Sequence, residues 1–323
     1  MSHMTNPLAT PDQLYQRRSF SALPTELQDA IFFSAQCLTQ AAGVLLHLPQ
    51  STTAQANVLL ARYWLVEPFM SDDYEFSDMS AATLYLTAKI SPTPRSPRDV
   101  TNVYTYLLSP SSPFLRPSSL PRAPNIPKTY YLSQASYQAF HARLLAAEAH
   151  ILYTLSFNTH VALPHAVCIT YLQALDFLAQ QRKEPLAKRA LAHLNTALLS
   201  PQMLYLTSQP NALAVAAIYS AARDVGAKMP ECEWWEVFDV DREELGFLVV
   251  GMRSVLGWAR KMRVDVPGMK DGGMLRRADV EGEMRRRGLF LGNGRAVGGE
   301  EEDPEAEMAR KMDEKMAEME ARG

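Results

Sequence analysis

Between residues 25 and 262, apolar residues recur at spacings of three and four almost without a break, and no run alternates β-branched residues as a half-buried strand requires. That period restricts the chain to packed helices. Several starts are legible. Thr25 with Gln28 predicts a capping box opening a helix to about Leu46, and Pro49 begins a second that runs to about Trp64. A third covers residues 77–90. Ser96-Pro97-Arg98-Asp99 opens a fourth: Ser caps, Pro tolerates the first turn because its missing N–H is not needed there, and Asp complements the dipole. A fifth runs from near Ser133 to about Phe157. After a connector at 158–164, helices are expected at 165–181, 185–199, 210–225, 231–238 and 241–262, the last capped by Asp241 with Glu244.

Two sets of five suggest duplication. Ala82-Thr83-Leu84-Tyr85-Leu86-Thr87-Ala88-Lys89 aligns without gaps on Ala216-Ala217-Ile218-Tyr219-Ser220-Ala221-Ala222-Arg223. Small side chains let neighbouring helices approach closely, so such segments belong at bundle centres. Similar Ala-rich composition is the plainer explanation; the shared Tyr and terminal cation favour duplication.

Two stretches depart from this pattern. Residues 109–130 carry Pro110, Pro113, Pro117, Pro121, Pro124 and Pro127, which excludes a continuous helix and predicts a long extended insertion. Beyond Met262, nine glycines through Gly299, with Arg276-Arg277 and Arg285-Arg286-Arg287, predict a mobile linker that buries little surface. From Glu300 the chain is charged, with Met308, Met312, Met316 and Met319 on one helical face. A solvated tail is the plain reading; a helix that binds a further partner is the alternative. The expected organisation is an N-terminal segment at 1–24, helical sets at 25–160 and 161–262, and a flexible extension at 263–323.

Composition excludes several functions. The net charge of −3 over 323 residues argues against a basic nucleic-acid binder. Three scattered cysteines, Cys37, Cys168 and Cys232, form no disulfide framework and suit a reducing compartment. No apolar run approaches the ~18 residues of a membrane span, and no secretory leader is legible, so an intracellular protein with no membrane contact is expected. The chain carries no P-loop and no Gly-x-Ser-x-Gly elbow, and no strand precedes Gly292-Asn293-Gly294. His160, His165 and Cys168 cluster in sequence but lack a second ligand pair, so a connector histidine and a core cysteine outweigh a metal site. No catalysis, metal or cofactor is expected.

Two charges stand out. Glu148 shares a helical face with Leu144, Leu145, Ile151, Leu152 and Leu155, and Lys89 closes the first Ala-rich helix. An unpaired buried charge would cost several kcal/mol, so each must reach solvent or a partner. Lys89 could simply complement its helix dipole, worth about 0.3–1 kcal/mol, and Glu148 could occupy a solvent-facing boundary. The competing reading is a mutual pair that presents charge to another protein.

A small-residue helix ending in Ala-Lys, followed by a helix with an embedded Glu ending in Leu-x-Phe, resembles the cyclin box, and most of all that of the cyclin L group. The resemblance rests on Gln40-Ala41-Ala42-Gly43-Val44-Leu45-Leu46-His47-Leu48-Pro49-Gln50 and on Ser96-Pro97-Arg98-Asp99-Val100-Thr101-Asn102-Val103-Tyr104. It continues through His160-Val161-Ala162-Leu163-Pro164-His165 and Tyr171-Leu172-Gln173-Ala174-Leu175.

This resemblance implies an all-α fold of two tandem five-helix cyclin boxes. It implies a non-catalytic subunit that binds and activates a nuclear cyclin-dependent protein kinase in transcription or pre-mRNA splicing. Lys89 and Glu148 match the family pair that holds the kinase's regulatory helix, and Ile90, Leu152 and Phe157 match the apolar part of that contact. Where relatives place an apolar residue and two acids after the lysine, this chain has Ile90-Ser91-Pro92, a change that bears on kinase choice. The Arg-Ser-repeat tail of animal cyclin L proteins is absent from this sequence. The alternative function is a cyclin-fold DNA-binding or scaffold module of the general transcription factor B type, but the chain has neither a Cys-rich zinc ribbon nor basic repeats.

Overall fold

The computed structural model describes residues 4–19, 21–70, 74–109, 112, 127–177, 183–266 and 274–289. Met308, Met312, Met316 and Met319, Gly292-Asn293-Gly294 and most of the Pro-rich 109–130 insertion lie outside those residues.

The described residues are helical and contain no strand. A first set comprises α1 (Pro11–Ser19), α2 (Thr25–Leu45), α3 (Gln50–Val66), α4 (Phe76–Ile90), α5 (Pro97–Leu107) and α6 (Gln134–Thr154). The second comprises α7 (Pro164–Ala174), α8 (Lys183–Ala197), a single turn α9 (Leu204–Thr207), α10 (Pro210–Val225) and α11 (Arg242–Asp265), and α12 (Arg277–Arg286) follows. In each set an Ala-rich helix lies at the centre: α4 packs on α2, α3, α5 and α6, and α10 on α7, α8 and α11. The aligned segments are these two helices. Each also directs its terminal cation over its own tyrosine one turn back, Lys89 Nζ 5.4 Å from the Tyr85 ring and Arg223 Cζ 6.0 Å from the Tyr219 ring. A shared fold position and a shared cation–ring contact are more than similar composition explains.

The Ser96–Asp99 capping box forms as expected: Ser96 Oγ accepts from Asp99 N, while Asp99 Oδ2 accepts from Ser96 N and Oγ. Asp241 likewise caps α11 by accepting from Glu244 N at 2.7 Å. The box expected at Thr25 does not form. Gln28 is fully buried and donates instead to the Leu23 carbonyl, so α2 starts after Pro24 with no side-chain cap. The helix expected at 231–238 is mostly turns, with a 3₁₀ turn at Glu236–Phe238, and α9 was not foreseen because four residues are too few to show a period.

Gly43 explains the Gln40–Gln50 motif. A Cβ there would run into the Thr53 side chain, so glycine lets α2 and α3 touch. The surrounding polar side chains tie the same joint: Gln40 Nε2 donates to Asn57 Oδ1, and Gln50 Nε2 donates to Asn195 Oδ1 on α8, joining the two sets. A second link comes from the N-terminal segment. Buried Asn6 exchanges two side-chain hydrogen bonds with the Ala162 backbone, each at 2.8 Å, and two backbone bonds with the Gln209 side chain, each at 3.0 Å.

The stretch at 274–289 corrects the linker reading. Met274, Leu275, Val280 and Met284 are buried, and Arg277 donates to the Met70 carbonyl and Glu75 Oε2 of the first set. Glycine spacing concealed one amphipathic turn pattern, and four buried apolar side chains offset the cost of ordering it.

Candidate functional site

The side chains singled out in the sequence converge where α4 ends against α6. Lys89 occupies the last turn of α4, and Ser91 stops the helix by bonding back to the Ala88 carbonyl through both N and Oγ. Lys89 Nζ lies 2.5 Å from Glu148 Oε1, in an ion pair that is not aligned as a hydrogen bond. The pair is asymmetric: the Glu148 side chain is 7% exposed and that of Lys89 50%. A solvent-facing boundary position for Glu148 is therefore excluded. Its neighbours on α6, Leu144, Ala147 and Ile151, are all buried, and the half-exposed lysine is the cation that reaches it from the rim. Removing Lys89 would strand a buried anion, the costly half of such a pair.

Around this pair lies apolar surface the fold leaves uncovered. Ile90 is 52% exposed, Leu152 half-buried and Phe157 62% exposed. Two further residues extend the patch: Leu145, already placed on the Glu148 face by its spacing, and Tyr153, which sequence reasoning missed, is 72% exposed and meets Phe157 edge to face at 5.6 Å. Helical spacing carried the signal, since 145, 149, 152 and 153 share one face of α6. However, an apolar stripe reads as core until the neighbours are known.

The end of α6 is held in an uncommon backbone. Ser156 and Phe157 both adopt positive φ, 49° and 60°, in the left-handed region, where a non-glycine residue costs roughly 1–2 kcal/mol. Phe157 N closes the turn on the Leu152 carbonyl at 2.8 Å. The strain points the Phe157 ring outward, where this chain provides little cover. Such geometry is more typical of contact sites than of a core.

A second ion pair, also missed, joins the same two helices. Arg143 Nε on α6 donates to Asp78 Oδ2 in the first turn of α4 at 3.2 Å. Burial pushes the Asp78 carboxyl up despite Arg143. Behind the surface, Thr39, Ser80 and Tyr104 form a buried hydroxyl chain with 2.7 Å links, fixing α4 against α2 and α5. Tyr104 belongs to the Ser96–Tyr104 motif, whose role here is structural.

The other candidate chemistry resolves into scaffold. His165 Nε2 pairs with Asn195 Oδ1 at 2.9 Å, Cys168 is buried with its thiol pushed up to about 12 by desolvation, and the His160 carbonyl accepts from Arg62. Among the described residues no cluster of three metal-ligating side chains occurs. No described helix is long and apolar enough to cross a membrane. Within the arginine clusters at 276–277 and 285–287, Arg277 pairs with Glu281, Arg286 with Glu283, and Arg287 with Glu283 and Glu26.

No family model matches the chain. Human Cyclin-L2 is 29% identical over 299 residues, spanning 92% of this chain and 53% of that protein. Human Cyclin-L1 is 32% identical over 209 residues, 64% of this chain and 36% of that protein. The chain thus spans about half, or less, of the length of these relatives. A chain of the yeast RNA Pol II CTD kinase CTDK-1 complex superposes with a TM-score of 0.61 at 14% identity, covering 88% of this chain and 84% of that one. A viral cyclin from herpesvirus saimiri gives 0.52 at 14% identity, covering 76% and 93%. By fold this chain is similar to cyclins, and by sequence it is similar to cyclin L proteins.

Proposed function

We propose that the chain binds a cyclin-dependent protein kinase and activates it as a non-catalytic subunit, acting in the nucleus in transcription or pre-mRNA splicing. The likeness to cyclin L proteins and to a chain of a CTD kinase complex supports that setting. The two boxes are taken as residues 25–160 and 161–262. The observation that carries the reading is the Lys89–Glu148 pair at the edge of an exposed apolar surface formed by Ile90, Leu145, Leu152, Tyr153 and Phe157. The apolar side chains provide most of the affinity, at about 25 cal/mol per Å² removed from water. The pair at the rim sets orientation.

In this reading the chain contributes no reacting atom. Docking on α4 and α6 selects the kinase conformation in which the regulatory-helix glutamate reaches its strand lysine and the activation loop opens. The engaged arginines of α12 weigh against the alternative nucleic-acid module, since paired cations release few counterions from phosphate.

Affinity purification should recover a kinase whose activity falls about tenfold or more with Lys89→Glu or Glu148→Lys. Full activation by both reversals, with the fold intact by circular dichroism, would overturn the interface. A salt-sensitive gel shift with duplex DNA and no recovered kinase would favour the alternative.

A further inference from the structure

A cavity of about 630 Å³ opens on the first helical set between α5, the 3₁₀ turn at Pro127–Thr129 and the start of α6. Its walls are aromatic: Tyr106, Tyr130, Tyr131 and Tyr137 line it, together with Pro127 and Arg98. Tyr106 and Tyr130 meet edge to face at 5.2 Å, and the Arg98 guanidinium lies 5.3 Å from the Tyr137 ring centre. Tyr137 precedes Glu148 by eleven residues on α6, about 16 Å along the axis, so the groove is separate from the ion-paired surface.

Three observations identify what it would hold. Tyrosine walls suit an extended proline-rich segment, which is ordered before it binds and presents flat rings to aromatic side chains. One wall is itself a proline ring, that of Pro127, set among these tyrosines. Its charge is one-sided: Arg98 is exposed, Lys128 stands exposed beside Pro127, and no carboxylate lines the cavity. The adjacent acid, Asp99, is turned back to cap α5 through Ser96.

We propose that this groove docks a proline-rich peptide segment with acidic side chains from a partner protein, the prolines stacking on the tyrosines and an acid reaching Arg98. Tyr131, 82% exposed, is the aromatic side chain free to close over the peptide.

Fluorescence anisotropy of the full chain tests this with a short labelled peptide of alternating proline and glutamate. Two controls of equal length replace glutamate by lysine, or proline by glycine and serine. The acidic proline peptide should bind, both controls should bind weakly, and Tyr131→Ala should weaken binding about tenfold, as for an aromatic anchor. Arg98→Glu should invert the preference toward the lysine peptide. Both positions are exposed, so circular dichroism should be unchanged. Equal binding of all three peptides, or none of any, as when the chain's own residues already cover the groove, overturns the proposal. No kinase is present in the assay, so the result is independent of the kinase reading.

Discussion

The two helical sets use an equivalent central helix and treat one carboxylate in opposite ways. In the first, Glu148 is buried and its cation, Lys89, is half in solvent beside uncovered apolar surface. In the second, Asp224 at the end of α10 is held by three bases from two other helices, Arg189 at 2.6 Å, His193 at 2.9 Å and Arg253 at 2.9 Å. Desolvation works to raise the Asp224 pKa, but hydrogen bonding to Arg189, His193 and Arg253 outweighs it and holds the carboxyl well below the usual range. The Asp224 charge is saturated by partners from the same chain. The Glu148 charge is met by one half-exposed cation at the surface. Two similar central helices thus differ in how completely the surrounding fold satisfies one carboxylate.

The largest effect that could break this contrast is Asp224→Ala. It leaves Arg189 and Arg253 facing each other without an anion, and because both are half exposed the loss should be about 2 kcal/mol rather than the full buried-pair penalty. Urea unfolding measures it, with kinase recovery unchanged under native conditions. A loss as small as that of a surface pair would remove the structural role of the node.

Sharper as a comparison are Lys89→Ala and Arg223→Gln. Both remove the cation over the shared tyrosine, a contact worth about 0.5–1 kcal/mol at exposed sites, and Lys89→Ala in addition leaves the buried Glu148 without its cation. Only Lys89→Ala should also reduce kinase activation, in a dose-response assay with the purified kinase. Equal effects on activation would mean that position in the repeat, rather than the partner carboxylate, sets the role.

The smallest effect is a pH dependence. His193 and His165 sit below the ordinary histidine value, chiefly because burial disfavours the charged ring, against hydrogen bonding to Asp224 and Asn195 respectively. The unfolded chain takes up these protons near pH 6.5, before the folded chain does. Stability should therefore be full above pH 6.5 and decline as pH falls toward the folded values. Melting temperature against pH should show this slope, and His193→Gln should flatten it in part. A slope unaltered by His193→Gln would locate the titration elsewhere.

Much of the fold was legible because helical period and caps are local. Pro49, Ser96-Pro97 and Asp241 marked starts within a residue or so of those observed, and the Ala-rich segments marked the two centres. Local rules failed where a distant group competed for the same atoms. Gln28 left its expected cap for the Leu23 carbonyl, and the glycine-punctuated stretch at 274–289 became ordered against Met70 and Glu75. In the site, the residue types and their faces were visible, but Tyr153, the exposure of Leu145 and the Asp78–Arg143 pair were not, because an exposed apolar residue and a core one have the same spacing.

The sequence by itself determined an all-helical chain, the two centres and the presence of one cation and one anion too costly to leave alone. Only the tertiary structure decided that Lys89 and Glu148 meet, that the glutamate is the buried partner, and that Asp224 is saturated while Glu148 is not. Period and propensity are properties of neighbours along the chain. Burial and pairing depend on which helices cross, and crossing is set by contacts between residues 59 positions apart, as Lys89 and Glu148 are.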